Sequence, residues 1–151
     1  MEGTGMKARE VLEAKGTRVI TVVEDSLLVD VMAIFFANKV GSLIVVDKYD
    51  NILGIVAPND ILKAVHKNLD KVPQMQVRDV MIRDLIVATP DDDLDYIQNI
   101  MTENRVRHIP ILDGGKLIGL VSIGDVVKAQ MTIKNVENRY LKDYIEGKYP
   151  A

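Results

Sequence analysis

The sequence lacks cysteine and tryptophan altogether, and aromatic residues make up only 5% of its 151 positions. Without cysteine, the chain has no disulfide, no thiolate metal site and no thiol nucleophile. Positive charge is not in surplus either, because 19 Lys and Arg stand against 22 Asp and Glu and give a net charge of -3. Proteins that bind nucleic acid duplexes usually carry a clustered basic surplus, so nucleic acid is not predicted as a partner.

Long hydrophobic runs are also missing. Every apolar run is interrupted within about ten residues, which is too short to span a bilayer, so no membrane association is predicted. Residues 1–5 lack the apolar stretch of a signal peptide, and Met6 is an alternative start, so we expect a cytoplasmic protein. Apolar residues still make up 48% of the chain, which is enough to build a folded core.

The chain contains an internal repeat. Three segments recur in the same order, at offsets of 69, 66 and 65 residues: Arg9–Leu12 with Arg78–Met81, Asp25–Leu28 with Asp91–Leu94, and Gly54–Asp60 with Gly119–Asp125. Recurrence of whole segments in one order is typical of duplicated structural units. We therefore predict two copies of one unit, over residues 7–67 and 75–130, joined by a polar linker that holds Pro73.

Each copy shows the same predicted order of elements. A short leading helix (7–14 and 76–81) precedes a short strand (18–22 and 85–88) and an amphipathic helix. The amphipathic helices begin near residues suited to capping, Asp25 or Ser26 and Asp91 or Asp92. A hairpin follows (43–46 with 52–56, and 109–112 with 116–121), and a second helix closes the copy. The predicted fold class is α/β (α+β), with two β-α-β-β-α repeats related by a pseudo-twofold axis, because one copy alone has too little core.

A C-terminal helix is predicted over residues 131–147. Ile133, Val136, Tyr140 and Tyr144 fall on one helical stripe, and Gly147 ends the pattern. The stripe is suited equally to packing on its own domain and to packing on a partner subunit, and the sequence leaves both open.

The turn at Ser122–Asp125 is the most informative stretch for function. It leads from a strand into a helix, where backbone N–H groups and the helix dipole suit a phosphate, and Asp125 is placed to accept hydrogen bonds from a ribose. Gly119 leaves room for a close backbone approach. The Ser-x-x-Asp spacing is also close to that of a capping box, which needs no ligand, and the tetrapeptide alone favours that interpretation.

The whole pattern resembles a known family. The segments Gly119–Asp125, Val106–Ile111 and Gly54–Asp60, in their doubled order, are similar to those of cystathionine-beta-synthase (CBS) domains, and the tandem resembles a CBS pair, or Bateman module. The resemblance covers nearly all of residues 7–129. It implies an adenosine-containing ligand, such as AMP, ADP, ATP, NADH or S-adenosylmethionine, in the cleft between the copies, and association of the chain as a homodimer.

The resemblance also implies which residues contact the ligand. Ser122 and Asp125 match positions that contact phosphate and ribose, and Pro110 matches a proline that lines the adenine slot. The other candidate contacts are Ile109, His108, Arg107, Gly119 and Thr89 in the second copy, and Thr21 and Asp60 in the first. Several of these residues also have structural explanations, because threonine suits strands, arginine suits helix ends, and a single histidine at a strand start is more often structural.

The two copies differ at the positions that matter for a ligand. Ala57 replaces Ser122, Ile44 replaces Pro110, Ser42 replaces His108 and Gly41 replaces Arg107, whereas Asp60 matches Asp125. The first copy thus lacks a hydroxyl donor and two candidate phosphate partners. We expect the second motif to carry most of the affinity, with one tightly bound ligand per chain.

Three classes of function are compatible with the sequence. The leading hypothesis is a regulatory module that responds to an adenine nucleotide and acts on a protein partner that the sequence does not name. A second is a ligand-free interaction module that works through its C-terminal helix. A third, an enzyme acting on nucleotides, is not predicted, since His108 is the only candidate base and no nucleophile–base–orienter set is present. No metal site is expected, because Asp91–Asp93 suit a helix start and have no histidine nearby.

Overall fold

The structure, a computed structural model, describes residues 5–131. Contacts divide these residues into two compact units, one formed by residues 18–86 and the other by residues 5–17 together with 87–131. The predicted C-terminal helix and its apolar stripe lie outside the described residues, apart from Met131.

The elements follow the predicted order closely. They are α1 (Ala8–Lys15), β1 (Thr21–Val23), α2 (Leu28–Ala37), β2 (Leu43–Val46), β3 (Ile52–Val56), α3 (Pro58–Lys67), two 3-10 helices (Leu69–Gln74 and Val77–Asp79), α4 (Leu94–Asn104), β4 (His108–Asp113), β5 (Lys116–Ser122) and α5, described over residues 123–131. The mixed helix and strand content confirms the predicted α+β class. The leading helix predicted at 76–81 is only a short 3-10 turn.

The unit at residues 18–86 holds a three-stranded sheet in the order β1-β2-β3. β1 runs parallel to β2, with Val22 opposite Val45, and β2 runs antiparallel to β3. Asp50 has a φ of 66° in the turn of this hairpin, a left-handed conformation that Asp adopts more readily than most residues. The core beneath the sheet is formed by buried apolar side chains from strands and helices: Val22, Leu28, Val31, Leu43, Val45, Val56, Ile61, Val77 and Met81.

The other unit is built on the antiparallel hairpin of β4 and β5. Gly114 and Gly115 form its turn with φ values of 58° and 83°, which glycine adopts without the steric cost that a side chain would add. The helical spacing predicted for α4 is confirmed, because Leu94, Ile97 and Met101 are all buried. They form part of a core that also includes Ile109, Ile111 and Val121.

The leading segment of each repeat packs in the unit that holds the other repeat. A Cβ added to Gly119 would lie 2.5 Å from Cδ2 of Leu12, which belongs to α1. In the other unit a Cβ added to Gly54 would lie 2.9 Å from Sδ of Met81. Leu12 and Met81 are equivalent positions of the two repeats, so the compact units and the sequence repeats divide the chain at different residues. The close approach expected at Gly119 is therefore made by α1.

The capping of α2 and α4 differs from the prediction. Their N-caps are Leu27 and Asp93, and neither makes a side-chain capping hydrogen bond. The first N–H of each helix instead donates to a backbone carbonyl of a leading segment, from Leu28 to Met75 (2.8 Å) and from Leu94 to Met6 (2.9 Å). The predicted side-chain caps, Asp25 or Ser26 and Asp91 or Asp92, are wrong, because tertiary packing supplies backbone acceptors to these helix starts.

The strand predicted at 85–88 is reduced to a single parallel bridge, between Ala88 and Ile111. In the first repeat the N–H of Ile44 donates to the carbonyl of Ile20, which extends the pairing of that edge toward the N-terminus of β1. Pro110 stands at the position of Ile44 and has no N–H to donate, although its carbonyl still accepts from Ala88 (3.0 Å). The proline thus removes one donor from the strand edge, while the pairing of Ala88 with Ile111 remains.

Candidate functional site

The Ser122–Asp125 turn joins β5 to α5 as a closed capping box. The N–H of Ser122 donates to Oδ2 of Asp125 at 2.8 Å, and the N–H of Asp125 donates to the Ser122 hydroxyl oxygen at 3.2 Å. The structural interpretation of this tetrapeptide is thus correct for the turn itself. It leaves Oδ1 of Asp125 as an acceptor without a hydrogen bond from the described residues.

Lys15 is the member of the site that sequence reasoning missed. It lies in the last turn of α1, and its Nζ donates to Oδ2 of Asp125 at 2.7 Å and to the carbonyl of Leu120 at 3.0 Å. The two charged residues are 110 positions apart, so only the docking of α1 brings them together. A basic residue in the last turn of a helix is ordinarily explained by the helix dipole, and no sequence signal pointed to Asp125.

The charges of the site are set by burial and by Lys15. Burial acts most strongly on Asp125 and raises its pKa, but the hydrogen bonds from Lys15 and Ser122 and the charge of Lys15 together lower the pKa below its usual value. Burial lowers the pKa of His108, and the charges of Lys15 and Arg107 lower it further, against an opposing effect of Asp125. At neutral pH the site therefore holds a carboxylate, an ammonium group and an uncharged imidazole.

The backbone donors that the turn was expected to offer are mostly occupied. The N–H of Ser122 and that of Asp125 close the capping box, and the N–H of Ile123 donates to the carbonyl of Arg107 at 2.8 Å. Within the described part of the chain, this leaves the N–H of Gly124 as the one of these four without a partner. The turn therefore offers fewer free backbone N–H donors for a phosphate than its position at a helix start suggests, because the folded turn satisfies most of them internally.

The structure brings most of the second-copy candidates into one unit. His108 lies opposite Ser122 in the register of β4 and β5, and the backbone of Arg107 contacts the start of α5. Ile109 is fully buried in the core, so its side chain is not available to a ligand in this state. Thr89 is exposed, and its N–H donates to Asp92 at 2.7 Å.

The first-copy candidates lie in the other unit. Asp60 repeats half of the capping arrangement, since its Oδ2 accepts from the N–H of Ala57 at 2.8 Å. Asp60 makes no ion pair with any described residue, unlike Asp125. Ser42, which replaces His108, is buried, and its hydroxyl has no hydrogen-bond partner among the described residues. Thr21 is an exposed residue of β1.

A separate cleft lies away from the predicted site residues. A cleft of about 280 Å³ lies in the unit at residues 18–86, lined by residues 23–25 and 47–49 and by Arg78, and it contains none of the predicted site residues. Among residues 5–131, no group of three or more His, Asp or Glu side chains is placed to hold a metal ion. No helix in that range is long and apolar enough to cross a membrane.

The family model of the CBS domain matches this chain twice, at residues 9–67 and 77–132. This chain belongs to the CBS domain family. The two matches overlap the predicted repeats at 7–67 and 75–130, and each contains one hairpin of the structure. The resemblance read from the repeated motifs is thereby confirmed.

Two relatives match this CBS domain pair over most of their own length. The CBS domain-containing protein CBSX3, mitochondrial, of Arabidopsis thaliana is 30% identical over 160 residues, covering 99% of this chain and 78% of that protein. The CBS-domain containing protein ATU1752 from Agrobacterium tumefaciens has a crystal structure that matches with a TM-score of 0.80 at 32% identity, covering 86% of this chain and 98% of that one.

A second protein of similar fold was solved with ligands. The CBS domain pair of protein MJ0100, in complex with 5′-methylthioadenosine and S-adenosyl-L-methionine, matches with a TM-score of 0.71 and covers 82% of this chain and 98% of that one. Its sequence identity is 21%, so the likeness shows a shared fold.

Proposed function

We propose that this CBS domain pair is a regulatory module that binds an adenine nucleotide through the Ser122–Asp125 turn of its second domain. The observation that carries the proposal is the state of Asp125. Its carboxylate is partly buried and held in the charged form, and Oδ2 is fixed by Ser122 and Lys15 while Oδ1 remains open as an acceptor. An oriented, ionised carboxylate is suited to the adjacent hydroxyl donors of a ribose, because hydrogen bonds to charged groups are the stronger ones.

The ligand class is supported from two further directions. MJ0100 shares the fold, and both of the ligands named for it contain adenosine. In this chain, Pro110 is buried in β4 and has no N–H to donate at the strand edge, and it is beside this edge that we place the adenine. AMP, ADP, ATP and NADH all combine an adenine with a ribose and phosphate, and they are the ligands to test first.

The second domain is proposed as the main binding site. In the first domain Asp60 has no lysine partner among the described residues, Ala57 offers no hydroxyl, and Ile44 keeps the strand edge paired. Occupancy of the second site would act by favouring one conformation of the module over another, as ligands do when their affinities for two states differ. The homodimer, the cytoplasmic location and an unnamed regulated protein partner stay predictions. The name of the Arabidopsis relative places that protein in the mitochondrion.

The test is calorimetric titration of the full chain with AMP, ADP, ATP and NADH. Asp125→Asn keeps an oxygen for the N–H of Ser122 but removes the charge, and it should weaken binding roughly 10- to 100-fold, as expected for a charge-assisted hydrogen bond. Asp60→Asn is the matched variant in the first domain and should have a much smaller effect. Absence of binding by all four ligands contradicts the proposal. Loss of binding in Asp60→Asn, with Asp125→Asn unaffected, would show that the assignment of domains is reversed.

A further inference from the structure

The pairing of Lys15 with Asp125 is built into the docking of α1. The helix is fixed at its first turn by the backbone, where the N–H of Ala8 donates to Asp92 and that of Arg9 to Pro90. It is fixed at Leu12 by contact with Gly119. With its axis held at these points, the last turn places Lys15 Nζ beside β5 and the start of α5. The hydrogen bonds and packing of α1 thus account for the position of the ammonium group beside Asp125.

The hydrogen-bonding capacity of Lys15 is only partly used. An ammonium group has three N–H donors, and two of them go to Asp125 and to the carbonyl of Leu120. The side chain is 37% exposed, so the third donor is accessible from solvent. Because the backbone donors of the turn are mostly occupied, Lys15 is the strongest remaining partner for an anion at this point.

Other charged groups near the turn are less suited to that role. His108 is uncharged at neutral pH, for the reasons given above. Arg107 contacts the start of α5 through its backbone carbonyl, and its exposed side chain is not fixed by any hydrogen bond within the described residues. Of the three groups Lys15, His108 and Arg107, Lys15 is the one that is charged and also held by side-chain hydrogen bonds among the described residues.

The first domain lacks an equivalent cation. The offset of the leading segments places Asp84 at the position of Lys15, so the charge is reversed there. Gly41 and Ser42 likewise replace Arg107 and His108. The two domains therefore differ in charge at the positions that would face the phosphate of a nucleotide. A nucleoside without phosphate would not detect this difference.

We infer that Lys15 is a specificity-determining residue of the second domain, which selects adenosine ligands that carry a 5′-phosphate over unphosphorylated adenosine. The inference rests on the proposed function and deepens it. In this arrangement one N–H of Lys15 donates to the carboxylate of Asp125, a second donates to the carbonyl of Leu120, and the third is directed to the phosphate. Lys15 can reach the phosphate while it contacts Asp125, because the 5′-phosphate is attached to the same ribose that Asp125 contacts.

The experiment compares adenosine with AMP on the full chain by calorimetry. The wild-type chain should bind AMP at least about tenfold more tightly than adenosine, because a hydrogen bond between charged groups contributes a factor of this order. Lys15→Met should weaken AMP binding roughly tenfold more than it weakens adenosine binding, which lowers the preference for AMP by the same factor. Lys15→Arg keeps the charge and should retain most of the preference.

Lys7→Met is the matched control, since it removes one lysine charge from the N-cap of the same helix, where Lys7 pairs with Asp93 at 3.8 Å. It should leave both affinities within about twofold, as is usual for an exposed ion pair outside a site. If Lys15→Met does not fold, as judged by its circular dichroism and melting curve, Lys15→Gln takes its place with the same expectation.

The outcomes separate this inference from the function on which it rests. A wild-type chain that binds neither adenosine nor AMP overturns both. A preference for AMP that is unchanged in Lys15→Met overturns the role of Lys15 alone. If Lys15→Met weakens the binding of AMP and adenosine equally, Lys15 acts only by positioning Asp125. If Lys15→Met binds AMP more tightly than the wild-type chain, Lys15 competes with the ligand for Asp125. Either result overturns the selection of phosphate.

Discussion

Gly119→Ala is expected to destabilise the ligand-free chain by about 1–3 kcal/mol, the usual cost of forcing extra volume into a packed site. The structure gives the reason. A Cβ at this position would lie 2.5 and 2.7 Å from the two Cδ atoms of Leu12 and 3.1 Å from its Cγ, and Leu12 is only 3% exposed. The leucine cannot rotate into solvent without losing its burial, so α1 must move away from β5. The measurement is the free energy of unfolding in urea, without added nucleotide.

A double-mutant cycle shows whether the cost arises at that contact. Leu12→Ala alone should cost about 2–5 kcal/mol, as truncations of buried leucine do. Combined with Gly119→Ala it should cost clearly less than the sum of the two single changes, by about 1 kcal/mol or more, because the smaller side chain leaves room for the new methyl group. Additive effects would contradict the packing of α1 against the second domain.

Alanine substitutions at two further glycines provide comparisons for the stability cost of Gly119→Ala. Gly54→Ala should cost more than Gly119→Ala, since its Cβ would lie 2.7 Å from the backbone carbonyl oxygen of Ile82, which has no rotamer to change. Gly124→Ala meets only the Ser122 hydroxyl at 3.5 Å and lies in α5, so it should be neutral or stabilise the fold by up to about 1 kcal/mol. If Gly119→Ala were as harmless as Gly124→Ala, the glycine would not be required for packing, and a role in ligand approach would regain support.

Four other predictions concern the site and the assembly. His108 should titrate below the usual range for histidine, and Lys15→Met should raise its pKa in an NMR titration, because the lysine charge helps to lower it. The lowered pKa of Asp125 means that its charge stabilises the fold above the unfolded-state pKa and that this contribution is lost as the pH falls through the folded-state value. Asp125→Asn should therefore reduce the urea stability at neutral pH and much less in strong acid, and an equal loss at both would contradict this. Ser122→Ala removes the acceptor for the N–H of Asp125 and should cost about 0.5–2 kcal/mol in the same assay. A homodimer is expected by light scattering at tens of micromolar protein, and a monomer mass would refute it.

The features that the sequence predicts well are local ones. The two hairpins lie where alternating apolar residues and turn signals place them, because a turn such as Gly114-Gly115 specifies its own backbone conformation. The helical spacing of Leu94, Ile97 and Met101 identifies the buried face of α4 without knowledge of what covers it. The duplication and the family follow from the order of short motifs. The pairing of Ser122 with Asp125 follows from a three-residue spacing, although the spacing alone does not distinguish a cap from a ligand site.

Tertiary packing decided the rest. The sequence repeats suggest that each leading segment belongs with the residues that follow it, whereas α1 packs at Gly119 of the second repeat and Met81 packs at Gly54 of the first. The same packing supplies carbonyl caps to α2 and α4, which displaces the acidic caps expected from the local sequence. It also brings Lys15 to Asp125 from 110 positions away and so sets the charge of the candidate site. Periodicity and turn chemistry describe interactions between residues a few positions apart. Which leading segment packs against Gly119 and which against Gly54 is determined only when each compact unit buries its apolar surfaces.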